Sequence, residues 1–366
     1  MRRVDYIFTR NASRPVPRIL RQMTFLKDNG FSSAFVGQRR DVHTDVQGCI
    51  EDFEYLLLGG IHKPLGGNSV TGYISGLIAY NWYLFGYLVR NRPKYVVASD
   101  FESFPASRLA SWLIGSKLCY NIHDNLAQRY SLPIALKKTL NILEGINVLL
   151  SNRASTPADF RTNALPNWSN KRIITIPNVP SGPLPIKNQA KSNETITIGY
   201  VGWINETRGI KYLVDAAKAN NKLQIRIAGS GDDSLLETIQ NTVRVEYLGV
   251  LSREASLQVI SECDFVFSYY SPMEEININS ASNKIAESLA IGTPLLINSE
   301  LKVAKQIKKF KCSIQGSYRR GIDVEELLSI SQAEYSKMIL SSHEAFMALY
   351  DTTIVNTNTS KFLCLD

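Results

Sequence analysis

The sequence predicts an α/β protein made of two doubly wound domains. Short apolar runs alternate with amphipathic segments along the whole chain, the pattern of βα units. The alternation begins afresh after the proline-rich stretch 177–185, and in the second half successive strand-like runs end on glycine, at Gly202, Gly229 and Gly249. At 366 residues the chain is also longer than one hydrophobic core usually grows.

Composition bounds the class. Hydrophobic residues make up 44% of the chain, the share of an ordinary globular protein. The five cysteines (49, 119, 263, 312 and 364) have neither metal-ligand spacing nor the even count of a disulfide framework, so reduced thiols in a cytoplasmic setting are expected. The first residues run straight into a strand-like segment without a signal-peptide core. Charge is unevenly spread. Residues 1–185 hold 22 Lys and Arg against 12 Asp and Glu, a balance of +10, whereas residues 186–366 hold 19 against 21, a balance of −2. The basic half suits a polyanion or an anionic membrane surface, with general solubility as the competing reading. No nucleic-acid module is recognisable.

Residues 4–9 read as a strand, 17–29 as a basic helix closed by Asn29-Gly30, and 33–37 as the next strand. Arg14, Arg18 and Arg21 recur at helical spacing where the ligand crevice of an open sheet lies, either meeting a phosphate or forming a solvated face. Residues 69–89 are long and apolar but contain three glycines and an asparagine and lead into Arg-Asn-Arg-Pro, so a buried or interfacial helix is expected rather than a span. A strand over 117–122 delivers His123-Asp124-Asn125 at its carboxyl end. His123 there can orient a leaving group or a hydroxyl, and the same pair is equally a turn with a helix cap. A strand over 173–176 precedes the linker.

In the second half a strand over 196–201 meets Gly202, and Arg208-Gly209 precede a helix over 210–219. Glycine at a strand end admits close approach of a phosphate or ribose, with which Arg208 can then pair. Strands over 224–228 and 245–248 end in Gly229-Ser-Gly231 and Gly249-Val-Leu251-Ser252, and 263–268 is a further buried strand. The stretch 279–294 organises the rest. A helix capped by Ser280 or Ser282 and stopped by Gly292 and Pro294 offers its N-terminus to an anion such as a diphosphate. Glu287, one turn further in, then reaches a ribose; the alternative is a packed helix with Glu287 in solvent. A strand over 295–298 and a helix over 331–350 complete the pattern.

The series Tyr200-Val-Gly-Trp203, Arg208-Gly209-Ile210, Ile227-Ala-Gly-Ser-Gly231, Tyr247-Leu-Gly-Val-Leu-Ser252 and Asn283-Lys-Ile-Ala-Glu287-Ser-Leu-Ala-Ile-Gly-Thr-Pro294 resembles the donor domain of GT-B glycosyltransferases, closest to glycosyltransferase family 4. It covers about residues 195–300, and more loosely the first half through Tyr120-Asn-Ile-His-Asp124 and Ile176-Pro-Asn178. The resemblance implies two Rossmann-like domains facing across a cleft. It divides the chain into an acceptor domain (1–180), a linker (181–194), a nucleotide-sugar domain (195–340) and a C-terminal segment (341–366) crossing back to the first domain. Within that segment the tail from 356 is either irregular or completes the crossing.

By that resemblance Arg208 binds the donor diphosphate, Glu287 holds the ribose, and His123 lies near the donor sugar; these three form the implied catalytic set. The donor set is Gly202, Trp203, Asn205, Arg208, Gly229, Gly231, Leu251, Asn279, Ser282, Asn283, Lys284 and Glu287, with Arg14, Arg18 and Asp124 facing acceptor or phosphate. A nucleotide-sugar, UDP-linked in preference to GDP-linked, acts as substrate with no catalytic metal or other cofactor. The acceptor is a glycan or a lipid-diphosphate-linked sugar in bacterial surface-polysaccharide synthesis, with transfer retaining configuration. Three positions depart from the pattern. Asn279 replaces the first signature glutamate, Trp203 replaces a frequent basic residue, and Asn11-Ala-Ser-Arg-Pro15 replaces the N-terminal glycine-rich turn. Asparagine still bonds hydroxyls but carries no charge to steady an oxocarbenium-like centre. Asp100, Glu102 and Asp124 are all candidates for a base, and the sequence does not choose among them. A sugar-nucleotide epimerase or hydrolase, and a non-catalytic binding subunit, remain as alternatives.

Overall fold

The computed structural model describes residues 4–40, 44–59, 70–130, 132–187 and 195–365. The linker expected over 181–194 falls outside the described residues from 188 onward, as do residue 69 and the last residue of the tail. The chain forms two compact units, residues 1–177 with 353–366, and residues 178–352.

The first unit begins with β1 (Tyr6–Arg10), α1 (Pro17–Asp28), β2 (Ser33–Gln38), β3 (Gln47–Ile50) and β4 (Phe53–Leu58). It continues through α2 (Val70–Asn91), β5 (Tyr95–Ser99), α3 (Phe104–Ile114) and β6 (Lys117–Asn121). Next come α4 (Leu126–Arg129), α5 (Ile134–Leu150), β7 (Arg153–Thr156), α6 (Asn167–Asn170) and β8 (Ile173–Thr175). The sheet order is β3-β4-β2-β1-β5-β6-β7-β8, and only the β3–β4 pair is antiparallel. Its central strands β1, β2 and β5 are buried along most of their length, as parallel strands covered on both faces must be.

Helices α2, α3 and α5 cover one face. Tyr80, Leu84 and Leu88 of α2, at four-residue spacing, share a single core with Ala106, Ala110 and Val148 and with strand residues Ile7, Val96, Leu118 and Tyr120. α2 is thus an amphipathic helix laid on the sheet, as its glycines and Asn81 predict. Among the described residues no helix is long and apolar enough to cross a membrane.

The second unit contains β9 (Ile196–Val201), α7 (Ile210–Ala219), β10 (Leu223–Ala228), α8 (Asp233–Gln240), β11 (Val245–Tyr247) and α9 (Arg253–Glu262). β12 (Phe265–Ser268), α10 (Glu275–Ile278), α11 (Asn283–Ile291) and β13 (Leu295–Asn298) follow. α12 (Lys302–Ile307), β14 (Ser313–Gly316), α13 (Val324–Ser329) and α14 (Gln332–Leu349) complete it. The wholly parallel order β11-β10-β9-β12-β13-β14 is the doubly wound 3-2-1-4-5-6 arrangement. α11 packs on α14, where Gly292 ends α11 at φ +94; a Cβ there would meet His343 Nε2 at 2.5 Å.

A last helix, α15 (Thr352–Leu363), belongs from Thr353 to the first unit. The tail from 356, read as either irregular or completing the crossing, is helical and belongs to the first unit, with Phe362 and Leu363 fully buried. Tyr6 Oη donates to the Leu363 carbonyl at 2.8 Å, and Cys119 Sγ donates to that of Phe362 at 3.1 Å. α14, inside the expected crossing segment from residue 341, stays wholly in the second unit.

Under α5, Glu144 is buried against Tyr120, whose hydroxyl it bonds at 2.5 Å. Burial raises its pKa to about 8, opposed by that hydrogen bond. The folded state therefore keeps a proton that the unfolded chain loses near pH 4.5. Stability should fall as pH rises from about 4.5 to about 8, by up to about 1.4 kcal/mol per pH unit. Urea unfolding across this range should show that slope, and Glu144→Gln should flatten it.

Candidate functional site

In the second unit strand order reverses between β9 and β12; the segment after β9 carries Gly202, Trp203, Asn205 and Arg208, and the one after β12 leads through Asn279 to α11. β9 ends in Tyr200-Val201 and turns at Gly202, while β12 runs on into Tyr269-Tyr270. Gly209 (φ +66) lets the turn that carries Arg208 approach β12, since a Cβ there would stand 2.9 Å from Tyr269 Cβ. The Arg208 guanidinium consequently lies over the Tyr270 ring, 4.4 Å from its centroid, and donates to Asn277 Oδ1 at 3.1 Å. Lys284, in the first turn of α11, is 6% exposed and caged by the same aromatics, its Nζ 3.8 Å from the Tyr200 centroid and 5.2 Å from that of Tyr270.

Among the described residues neither cation makes an ion pair. The electrostatics register this. Burial pulls the Lys284 pKa down to about 8, with Tyr270 opposing and Arg208 adding to the drop. Burial alone would raise the Tyr270 phenol, but the Lys284 and Arg208 charges outweigh it and hold it below its ordinary value. Two cations sharing one aromatic face without a carboxylate make a site for an anion.

Helix α11 adds the backbone contribution expected of it, with a correction at its cap. Ser282 is the N-cap residue, yet its side chain makes no capping hydrogen bond. The first-turn N–H groups thus receive no side-chain acceptor from Ser282. Asn283 Oδ1 is buried without a protein hydrogen-bond partner. Glu287 is half-buried one turn in, and Asn279 is buried at the end of α10. Trp203 is exposed, and its carbonyl accepts from Tyr200 Oη at 2.5 Å. Asn205 Oδ1 accepts from Thr207 at 3.1 Å, bracing the turn before Arg208. Leu251 is half-buried between Gly249 and Ser252, which caps α9.

The glycines 229 and 231 have a steric reason of their own. The loop after β9 lies directly on them: a Cβ on Gly229 would stand 1.8 Å from the Gly202 carbonyl oxygen, and one on Gly231 1.8 Å from that of Ile204. Hydrogen bonds from Gly202 N to Ala228 O (3.0 Å) and from Ile204 N to Ser230 O (2.9 Å) zip the two loops together.

The first unit has its own centre at the β1–β5 reversal. Asp100, just past β5, adopts φ 64 and ψ 164, a region nearly confined to glycine and worth roughly 1–3 kcal/mol of strain. In return its buried carboxylate accepts the N–H groups of His123 (2.9 Å) and Asp124 (3.2 Å) and pairs with Arg10 Nε (2.9 Å). Burial works against its ionised form, and the Arg10 and Arg129 guanidinium charges overcome that, so the group stays ionised. Glu102 is held by Arg129 at 2.8 and 3.0 Å, and Asp124 by Arg161 at 2.9 Å. All three candidate bases are therefore ion-paired.

His123 is buried and its Nε2 has no protein partner. Burial drops its pKa to about 3, so it acts as a neutral imidazole. Arg18 is corrected: it is buried inside the unit, where its Nε donates to Asn121 Oδ1 (2.9 Å), another nitrogen to Ser155 Oγ (3.3 Å) and a third to the Ile176 carbonyl. It ties the ends of β6, β7 and β8 rather than facing a phosphate. Arg14 is exposed. Sequence reasoning missed Tyr270 and Asn277, which position Arg208, and Arg10, Arg129 and Arg161, which neutralise the carboxylates. A polar aromatic directly past a buried strand, as in Phe265-Val-Phe-Ser-Tyr-Tyr270, was the available signal for the first.

No family model matches the chain, nor does any curated protein. Solved structures do. Sucrose-phosphate synthase from Thermosynechococcus elongatus is 12% identical with a TM-score of 0.71, over 98% of each chain. Anabaena HepE in complex with UDP and glucose is 12% identical with a TM-score of 0.70, over 99% of each. The E. coli trehalose-6-phosphate protein bound with UDP-2-fluoro glucose is 10% identical with a TM-score of 0.65, over 98% of each. These neighbours are GT-B glycosyltransferases, and the likeness gives this chain the GT-B fold.

Because the Gly202–Ile204 loop seats backbone against backbone, Gly229→Ala should destabilise the second unit by about 2 kcal/mol or more, read as a lower urea midpoint. An unchanged midpoint would mean that the loop shifts freely.

Proposed function

We propose that this protein is a glycosyltransferase of the family 4 type that takes a nucleotide-diphosphate sugar, UDP-linked by preference, as donor. The observation that carries the reading is the pair Arg208 and Lys284, stacked on Tyr270 at the N-terminus of α11 without an acidic partner. A diphosphate supplies the missing charge, and the first-turn amides of α11 meet it. Glu287 takes the ribose hydroxyls, and the backbone around Gly229, Gly231 and Leu251 borders the base. Asn279, neutral where a carboxylate is usual, bonds a hydroxyl of the transferred sugar.

In the reaction the bond between the anomeric carbon and the β-phosphate oxygen breaks, its electron pair leaving with the diphosphate. Arg208, Lys284 and the α11 dipole stabilise that charge as it forms. The acceptor hydroxyl oxygen bonds the anomeric carbon on the face the nucleotide leaves, and its proton passes to the departing phosphate or to solvent. Retention of configuration follows. Ion-paired Asp100, Glu102 and Asp124 organise the first unit rather than serve as base.

The acceptor is a membrane-associated glycan precursor of a bacterial surface polysaccharide, reached from the inner membrane face. Support comes from the outer side of α2, α3 and α5. Ile74, Ile78 and Trp82 (76% exposed) form a stripe on α2, continued by Leu109, Trp112 (74%) and Leu113 on α3 and by Ile142 and Ile146 on α5. These helices carry Arg90, Arg108, Lys137 and Lys138, and their single acidic residue, Glu144, is buried. Exposed tryptophans with cations and no surface carboxylate match an anionic bilayer, which attracts each basic residue with about 1 kcal/mol.

UDP should raise the melting temperature, a ligand at a hundred times its Kd adding about 2.7 kcal/mol. Its affinity should fall roughly tenfold as pH rises through about 8 and Lys284 loses its proton, and by a similar factor in Arg208→Ala at neutral pH. UDP binding indifferent to both would remove the anion site from the reading. The membrane surface is tested by co-sedimentation with vesicles of phosphatidylcholine and phosphatidylglycerol. Binding should be lost when Trp82 and Trp112 are both replaced by serine. Equal sedimentation with neutral vesicles, or self-association of the protein through this face, would overturn it.

A further inference from the structure

Helix α15 meets strand β6 through two cysteines that the sequence holds far apart. Cys119 lies in β6, fully buried, and its Sγ donates to the Phe362 carbonyl at 3.1 Å. Cys364, just past α15, is half-buried, and its Sγ donates to the same carbonyl at 3.9 Å. Both are free thiols, and two thiols that converge on one oxygen are neighbours of each other. The Cys119 pKa registers the neighbour, being held well above the ordinary thiol range by Cys364 first and by burial second. Cys119 therefore keeps its proton at neutral pH.

The backbone at Cys364 is organised for this approach. α15 closes with the Leu365 N–H donating to the Ser360 carbonyl (3.1 Å) and the Cys364 N–H to that of Lys361 (3.3 Å), the pattern of a left-handed C-terminal cap. Its capping residue is Cys364 at φ +59, a conformation that glycine adopts freely and a residue with a Cβ adopts only at a cost. Cysteine thus occupies a glycine position, and the left-handed turn brings its Sγ back onto the carbonyl two residues upstream, where Cys119 already points.

We propose that Cys119 and Cys364 form a disulfide when the protein meets a peroxide, a covalent staple that fixes α15 to β6. Hydrogen peroxide is reduced at the half-buried Cys364. The sulfur bonds one peroxide oxygen, the O–O bond breaks, and the products are a sulfenic acid and water. Cys119 Sγ then bonds Cys364 Sγ, the S–O bond breaks, and the hydroxyl leaves with the Cys119 proton as a second water. Cys119, enclosed and protonated, is the resolving thiol, and Cys364 is the one oxidised first. A dithiol reverses the reaction. The two positions are separated in sequence by the whole of the second unit, so the staple removes a large loop's worth of freedom from the unfolded chain. Reduced, α15 is held by burial and hydrogen bonds alone; oxidised, it cannot leave β6. The stability of the first unit then follows the redox state of its surroundings, whatever the protein's donor and acceptor are.

The test uses the full chain carrying Cys49→Ser, which removes the exposed thiol of β3 and with it cross-linking between molecules. The protein is treated with hydrogen peroxide under native conditions, free thiols are blocked with N-ethylmaleimide, and a digest is read by mass spectrometry. A peptide pair joined through 119 and 364 is expected, lighter by about 2 Da than its two thiol parts and split by dithiothreitol. The urea midpoint of the oxidised protein should lie above that of the reduced one, and dithiothreitol should restore it. Cys364→Gly suits the left-handed turn, so this variant should fold at least as stably when reduced and should lose both the link and the rise in midpoint. Peroxide that carries Cys364 on to a sulfinic acid, or leaves it a free thiol, without a link to Cys119 overturns the proposal. So does a link that forms only in urea, or a rise in midpoint that persists in Cys364→Gly.

Discussion

The reversal of strand order at the middle of each sheet is the constraint on which the rest depends. Parallel strands must be covered on both faces, and where the order reverses the covering connections diverge to opposite sides. The carboxyl ends of the two central strands are then left without a crossing loop. In the second unit these are β9 and β12, in the first β1 and β5. Tyr200, Gly202 and Tyr270 stand at one such opening, Arg10, Asn11 and Asp100 at the other. Each unit, taken by itself, gathers charged side chains at that point.

The two openings differ in how charge is balanced. In the first unit Asp100, Glu102 and Asp124 are each matched by a guanidinium group, and a strained Asp100 backbone is tolerated because one carboxylate then secures Arg10 and the chain at 123–124. In the second, cations rest on aromatic rings instead of acids. An aromatic face attracts a cation without neutralising it, so the net positive charge stays available to a ligand. Matched pairs give a rigid frame, and unmatched cations give affinity for anions.

Much of this was legible in the sequence. Strand and helix alternation, the glycine turns at Gly202 and Gly229, and the extents of α7 and β13 follow from local pattern, which short loops preserve. Arg208, Lys284 and Glu287 were legible because one turn and one helix carry them. What the sequence hid is long-range. Arg18 looks like any surface arginine in a basic helix, and only the pairing of β6, β7 and β8 shows that its guanidinium is enclosed. Asp100 reads as an ordinary strand-end acid, since its partners are 23 and 90 residues away. The edge strand β3 is short, and the helix α15 has no strong apolar periodicity, so neither is signalled locally.

That last helix has a consequence for how the chain is made. The second unit is continuous in sequence, whereas the first lacks α15 until the second has been made. Phe362 and Leu363, with the carbonyls that receive Cys119 Sγ and Tyr6 Oη, leave the ribosome only after the whole of the second unit. The first unit, though made first, therefore waits with part of its apolar sheet face uncovered while the second can already close. Domains usually mature in the order of translation; here the amino-terminal unit is completed only after the other has been translated.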